Sequence, residues 1–171
     1  AANIIVSKVT ESKFGLSKME FGNKPVDGGF LLLTRAEVES LKISPSQRHE
    51  FIRRIYGSEE FIQGKERYCL WIDEQHLEEA LAVPEFLARI EGVRQMRLAS
   101  RKVSTQKKAE IAHRFDEKRQ LGTEVVLAVP AITSENRDYL PCGYLRSGTI
   151  ISNKCYGIYD GPLWDMALIA S

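Results

Sequence analysis

The spacing of hydrophobic positions changes several times along this chain, and each change marks an element. Asn3–Val9 is dense in β-branched residues and predicts a strand. Phe21–Asp27 breaks that pattern, and Gly22, Asn23, Pro25 and the Asp27-Gly28-Gly29 run supply turn chemistry. Phe30–Leu33 predicts a short buried strand. Thr34 with Glu37 forms a capping-box pattern and predicts a helix to about Leu41. Ser44, Pro45 and Gln47 open a second helix, expected to run to near Gly57. Arg67–Ile72 reads as a strand, and a short helix is expected between Asp73 and Pro84.

Pro84 begins a longer predicted helix, to about Arg101. Phe86, Leu87 and Ile90 share one side, and the same side continues at helical spacing as Arg94, Arg97 and Arg101. The expectation is a helix that leaves the core and aims its guanidinium groups outward. Thr105–Arg119 reads as a solvated helix. Glu124–Val129, Tyr139–Leu145 and Thr149–Ser152 read as strands, and Pro162 opens a terminal helix. Strands and helices do not alternate regularly. That predicts an α+β fold with a mixed, mainly antiparallel sheet and several flanking helices, rather than a wound parallel sheet.

With 171 residues, the chain suits one domain over 1–171 with a real core. Its net charge is +1, which creates no global field for a polyanion. The distribution is less even. Phe86–Gln120 holds ten Lys or Arg and four Asp or Glu, a local +6, so the remainder carries −5. Cys69, Cys142 and Cys155 form no CxxC pair, which fits reduced thiols in a cytosolic protein. No apolar run approaches the roughly 20 residues that span a bilayer. The chain opens on Ala1 and closes on the apolar run Leu163–Ala170. The expectation is a domain from a longer protein, with 160–171 starting a following helical segment; a trimmed complete protein is the competing reading.

Familiar catalytic patterns fail one by one. Gly57 and Gly64 precede Lys65, but six residues separate them and Glu66 follows, so a phosphate loop does not fit. No Gly-x-Gly occurs, which removes the dinucleotide fingerprint. Asp116-Glu117-Lys118 has the acid-x-Lys form of metal-dependent nucleases, yet lies in a charged run that reads as a solvated helix face. His49, His76 and His113 lack metal-ligand spacing. Ser58 sits in no nucleophile elbow, and Cys69 in a core strand reads as an inert thiol. No catalytic residue, metal ligand or cofactor site is assigned within the chain.

Binding chemistry survives better. Arg suits guanine, Asn or Gln suits adenine, and a carboxylate can accept from the cytosine amino group. Glu135, Asn136 and Arg137 offer all three side-chain types on an expected strand–loop–strand connection. Arg53 and Arg54, near an expected helix end, and Arg94, Arg97, Arg101, Lys102, Lys107 and Lys108 could neutralise phosphates. Taken singly, each of these charges is better explained by a solvated surface or an internal ion pair.

Several runs carry a family resemblance. They are Phe21–Gly29, Phe51-Ile52-Arg53-Arg54 with Gly57-Ser58-Glu59-Glu60-Phe61, Glu66–Trp71, Val93-Arg94 with Arg97–Ser100, and Val129-Pro130 with Ser134–Gly143. In this order they resemble the target recognition domain of MmeI-like DNA methyltransferases, the type IIL restriction-modification and phage-defence enzymes. Cys142 departs from the aliphatic residue expected there. The resemblance implies a double-stranded DNA recognition module, with base reading around Glu135 and Arg137. It also implies a neighbouring adenine-specific methyltransferase domain, using S-adenosylmethionine, in the same parent chain. Such an enzyme must flip its adenine, because the exocyclic amine is inaccessible inside a duplex. Two other classes remain open on the residues alone. One is a protein-interaction domain with a basic face. The other is a small hydrolase or nuclease whose site is unrecognised.

Overall fold

The computed structural model describes residues 15–171; the strand expected over Asn3–Val9 lies outside them. The architecture is α+β, with two four-stranded sheets. One sheet runs β1 (Glu20–Phe21), β8 (Cys155–Tyr159), β5 (Val126–Pro130), β6 (Gly143–Leu145), all antiparallel. The other runs β2 (Leu32–Leu33), β4 (Tyr68–Leu70), β3 (Ile52–Tyr56), β7 (Ile150–Ile151). Its pairs are antiparallel apart from β3 with β7. The mixed, mainly antiparallel character expected from the sequence is therefore present, distributed over two sheets.

Local signals hold where the chemistry is local. Helix α1 (Arg35–Ser40) starts at Thr34, whose hydroxyl accepts from Glu37 N at 3.2 Å while Glu37 accepts from Thr34 N at 2.8 Å. Helix α2 (Pro45–Phe51) repeats the device with Ser44 and Gln47. Helix α3 (Ser58–Gln63) ends at Gly64 with a left-handed φ of 67°. A single 3-10 turn and α4 (Leu77–Leu81) follow Asp73. Helix α5 (Pro84–Leu98) starts on its proline, and α7 (Leu163–Ala170) follows Pro162. At the expected turn, Asp27 accepts from Leu31 N at 2.7 Å and Leu32 N at 3.2 Å, so its buried carboxylate organises the entry to β2.

Three expectations change. The second helix stops at Phe51, six residues before Gly57, and the chain continues as β3. Arg53 and Arg54 therefore lie on a strand, opposite Cys69 and Tyr68 of β4. Ile52–Tyr56 is pulled into the sheet because β4 and β7 pair it on both sides. The solvated helix over Thr105–Arg119 is reduced to α6 (Val103–Lys107) and a 3-10 stretch, Lys108–Ile111. Beyond it Lys24 and Glu117 form an antiparallel bridge. Finally, β1, α3 and β8 form where no regular element was expected.

The larger core gathers Leu33, Phe51, Leu70, Trp71, Phe86 and Phe115 between the β2–β4–β3–β7 sheet and the helices. Phe51 meets Phe86 edge-on at 5.5 Å, and Trp71 meets Phe115 in the same way. A smaller cluster of Val126, Ala128, Ile151 and Cys155 sits under the other sheet. A buried polar joint connects the two regions. Asn23 Nδ2 donates to Gln120 Oε1 at 2.7 Å and to Ile151 O at 2.9 Å, and its Oδ1 accepts from Arg119 N. Gln120 in turn accepts from Ile151 N and donates to Thr149 O. Next to it, a Cβ on Gly22 would sit 2.3 Å from Ser152 O, which only glycine tolerates.

Candidate recognition site

Strands β5 and β6 are paired neighbours, Val126 opposite Leu145 and Ala128 opposite Gly143. Every residue from 131 to 140 in the connection between them is exposed. Glu135, Asn136 and Arg137 lie at its outer part. Asn136 N donates to Ser134 Oγ at 3.2 Å and Arg137 N to Ser134 O at 3.3 Å, which closes a turn over Ser134. Among the described residues, the side chains of Glu135 and Arg137 make no hydrogen bond or ion pair. They are thus available to an external partner, in the strand–loop–strand setting expected from the sequence.

A groove of about 610 Å3 runs between this loop and α3. Arg137, Ser134 and Ile132 line one wall, and Glu59, Gln63 and Arg67 line the other. Lys154, from the turn between β7 and β8, also reaches it. Arg67 lies 3.3 Å from Glu60, and Glu59 pairs with Lys65, so the α3 carboxylates are largely compensated. Composition gave no sign of Lys154, which lies well apart from the basic stretch. Its signal is the fold alone.

The other cations divide sharply. Arg97 is fully buried, which overturns the outward guanidinium expected for it and removes it from the phosphate-facing set. Its guanidinium donates to five main-chain oxygens, those of Pro25, Val26, Lys108, Ile111 and Arg114, at 2.8 to 3.1 Å. Burial lowers its pKa, and Asp116 and Asp27 act in the opposite direction. The reason lies in the stripe itself. The buried face of α5 is Phe86, Ile90, Val93 and Arg97, so the apolar stripe runs into the basic one without leaving the core. Arg101, Lys102 and Lys107 are exposed. Their side chains have no partner among the described residues. Arg94 is held 3.2 Å from Glu91, and Lys108 stands 3.9 Å from Asp116. Arg53 bonds to His49 O. Arg54 lies 3.9 Å from Glu66 and 5.1 Å from the Tyr56 ring centroid. Both are knit into the body of the domain more closely than the Arg101–Lys107 arm.

No group of three or more His, Cys, Asp or Glu among the described residues could hold a metal ion. In the acid-x-Lys run, Lys118 pairs with Asp73 and lies 4.8 Å from the Trp71 ring centroid. It is thereby turned away from a joint site with Asp116. Cys69 is buried and its thiol is pushed up by desolvation; Cys155 is raised to about 12 by the same cause. No helix among the described residues is long and apolar enough to cross a membrane.

A solvated polar loop on paired strands, a groove beside it and a free cationic arm define a recognition module. The family described as "MmeI, target recognition domain" matches residues 1–171, and the chain belongs to it. It is 35% identical over 169 residues to DNA methyltransferase A of Bacillus subtilis (strain 168), covering 99% of this chain and 19% of that protein. Among solved structures it resembles the type IIL restriction-modification enzyme MmeI in complex with DNA. The TM-score there is 0.87 at 31% identity, over 99% of this chain and 23% of that one. The chain therefore spans about a fifth of the length of the relatives it matches.

Proposed function

We propose that this domain selects the target sequence of a DNA methyltransferase by reading base edges in duplex DNA. The observation that carries this reading is the exposed 131–140 loop, with Glu135 and Arg137 uncompensated at its outer part on a family-specific recognition fold. Glu135 and Arg137 would read base edges in the major groove, with Asn136 beside them as a secondary contact. Arg101, Lys102 and Lys107 would hold phosphates, with Arg94 and Lys108 beside them and Arg53 and Arg54 in supporting positions. Arg97 has no such role. The parent enzyme is proposed to methylate adenine with S-adenosylmethionine in a separate domain of the same chain, in a restriction-modification setting and with or without a fused endonuclease.

Mapping of methylated sites made by the full-length parent tests this. Arg137→Ala and Glu135→Ala should each relax or change selection at one base pair, costing about 1–3 kcal/mol of discrimination. An unchanged site after both substitutions overturns the assignment.

A further inference from the structure

The Gly57–Phe61 run is part of the family resemblance, yet none of its residues is among those proposed to read bases. Its geometry gives it another task. Ser58 Oγ donates to Lys154 O and accepts from Ile132 N at 3.3 Å. Ala131 N donates to the same Lys154 oxygen at 2.9 Å. One hydroxyl thus ties together the start of α3, the first residues of the reading loop and the turn between the two sheets. At the loop's other end, the ring of Phe61 lies 3.4 Å from where a Cβ on Gly143 would stand. A single turn of α3 therefore supports both ends of the loop.

The packing around Ser58 leaves it little freedom. Gly57 N donates to Glu60 Oε2 at 2.9 Å, which fixes the first turn of α3. A Cβ on Gly57 would come within 2.8 Å of that carboxylate and 3.3 Å of Lys154 Cβ, so the turn carrying Lys154 lies close against this backbone. The turn is held from below as well, by Ser152 N donating to Tyr56 O at 2.8 Å. From Ile132 to Leu140 every residue is exposed. The placement of the loop against the domain is therefore set at its base, by the Ser58–Ile132 and Lys154–Ala131 bonds.

We propose that Ser58 is a specificity-positioning residue, whose hydroxyl sets the register of the 131–140 loop against the duplex without touching DNA. This rests on the base-reading role proposed above. Base readers need placement to a fraction of an ångström, and a hydrogen-bonded support of this kind supplies it.

The test compares methylation rates of the full-length parent on its cognate duplex and on every single-base-pair variant of it. Ser58→Ala should lower the cognate-to-variant ratio about tenfold at the pairs read through Glu135 and Arg137, the loss of roughly one supported hydrogen bond. Ratios at other pairs and the salt dependence of binding should stay unchanged. Ser58→Thr, which keeps the hydroxyl, should restore the ratio. If the alanine variant does not fold, Ser58→Cys, near-isosteric but a weak donor, should give the same selective loss. Unchanged ratios, or a uniform loss at all pairs, overturn the proposal. Arg137→Ala run in parallel separates the two readings. A silent Arg137 variant removes the base-reading role itself, whereas an altered Arg137 variant beside a silent Ser58 variant removes only the positioning role.

Discussion

The guanidinium of Arg97 donates to the main-chain oxygen of Ile111 at 3.0 Å, inside the domain. With Lys108 and Arg114, this makes three carbonyls spaced three residues apart that turn inward to one side chain. Ile111 O accepts from Arg114 N at 3.2 Å as well, so the segment after Lys107 coils around Arg97 in tight turns that present these carbonyls to it. A charged residue here acts as the organising centre of a loop.

Arg97→Ala should therefore destabilise this chain by at least about 3 kcal/mol, since several buried acceptors lose their donor together. Arg97→Lys should recover little, because an ammonium cannot span the fork. Denaturant unfolding of the variants measures both. A loss below about 1 kcal/mol would mean that water replaces the guanidinium without strain.

The exposed arm should behave differently. Arg101→Ala or Lys107→Ala should weaken binding of the parent enzyme to all duplexes alike and lower the salt slope by about one each. Arg97→Met, assayed under conditions where it remains folded, should leave the slope alone. Titrations across a salt series distinguish the two classes.

The buried joint makes a prediction about charge. Asn23→Asp preserves shape but faces Gln120 Oε1 and Ile151 O, both acceptors that now receive an amide proton. The variant should lose about 2–3 kcal/mol at neutral pH. Burial raises the folded-state pKa of such a carboxyl, so the folded form binds its proton more tightly than the unfolded form. The deficit should shrink as pH falls and the acid becomes a donor. Unfolding midpoints of the two proteins from pH 7 downward check the sign.

Helix α1 carries the opposite sign. Bonds from the Thr34 backbone, then from Arg89, hold the Glu37 carboxyl down at about 2, from an ordinary 4.5. Its folded pKa is depressed, so its contribution is present above about 4.5 and lost as pH falls towards 2. The carboxylate is well exposed, so the effect is small. Glu37→Gln keeps an acceptor for the cap but cannot titrate. The difference in unfolding midpoint between wild type and variant should narrow across that pH window.

The sequence alone determined what depends on neighbours within a few residues. Both capping boxes, the proline starts of α2 and α5 and the turn at Asp27 follow from side chains that reach their own backbone. The exposed Ser134–Arg137 turn was equally legible, because polar residues between two apolar runs have nowhere else to go. Family membership was also readable, in the runs from Phe21 to Gly143. Tertiary structure decided the rest through partners distant in sequence. Ile52–Tyr56 became a strand because β4 and β7 pair it. Gly157 interrupts the apolar pattern of β8 and hides that strand in the sequence; in the fold an added Cβ there would stand 2.6 Å from Ile151 Cδ1 and 3.1 Å from Val126 Cγ1. Charge alone places Arg97 at the surface. The carbonyls that satisfy it come from segments on either side of it in the chain, and only folding brings them together.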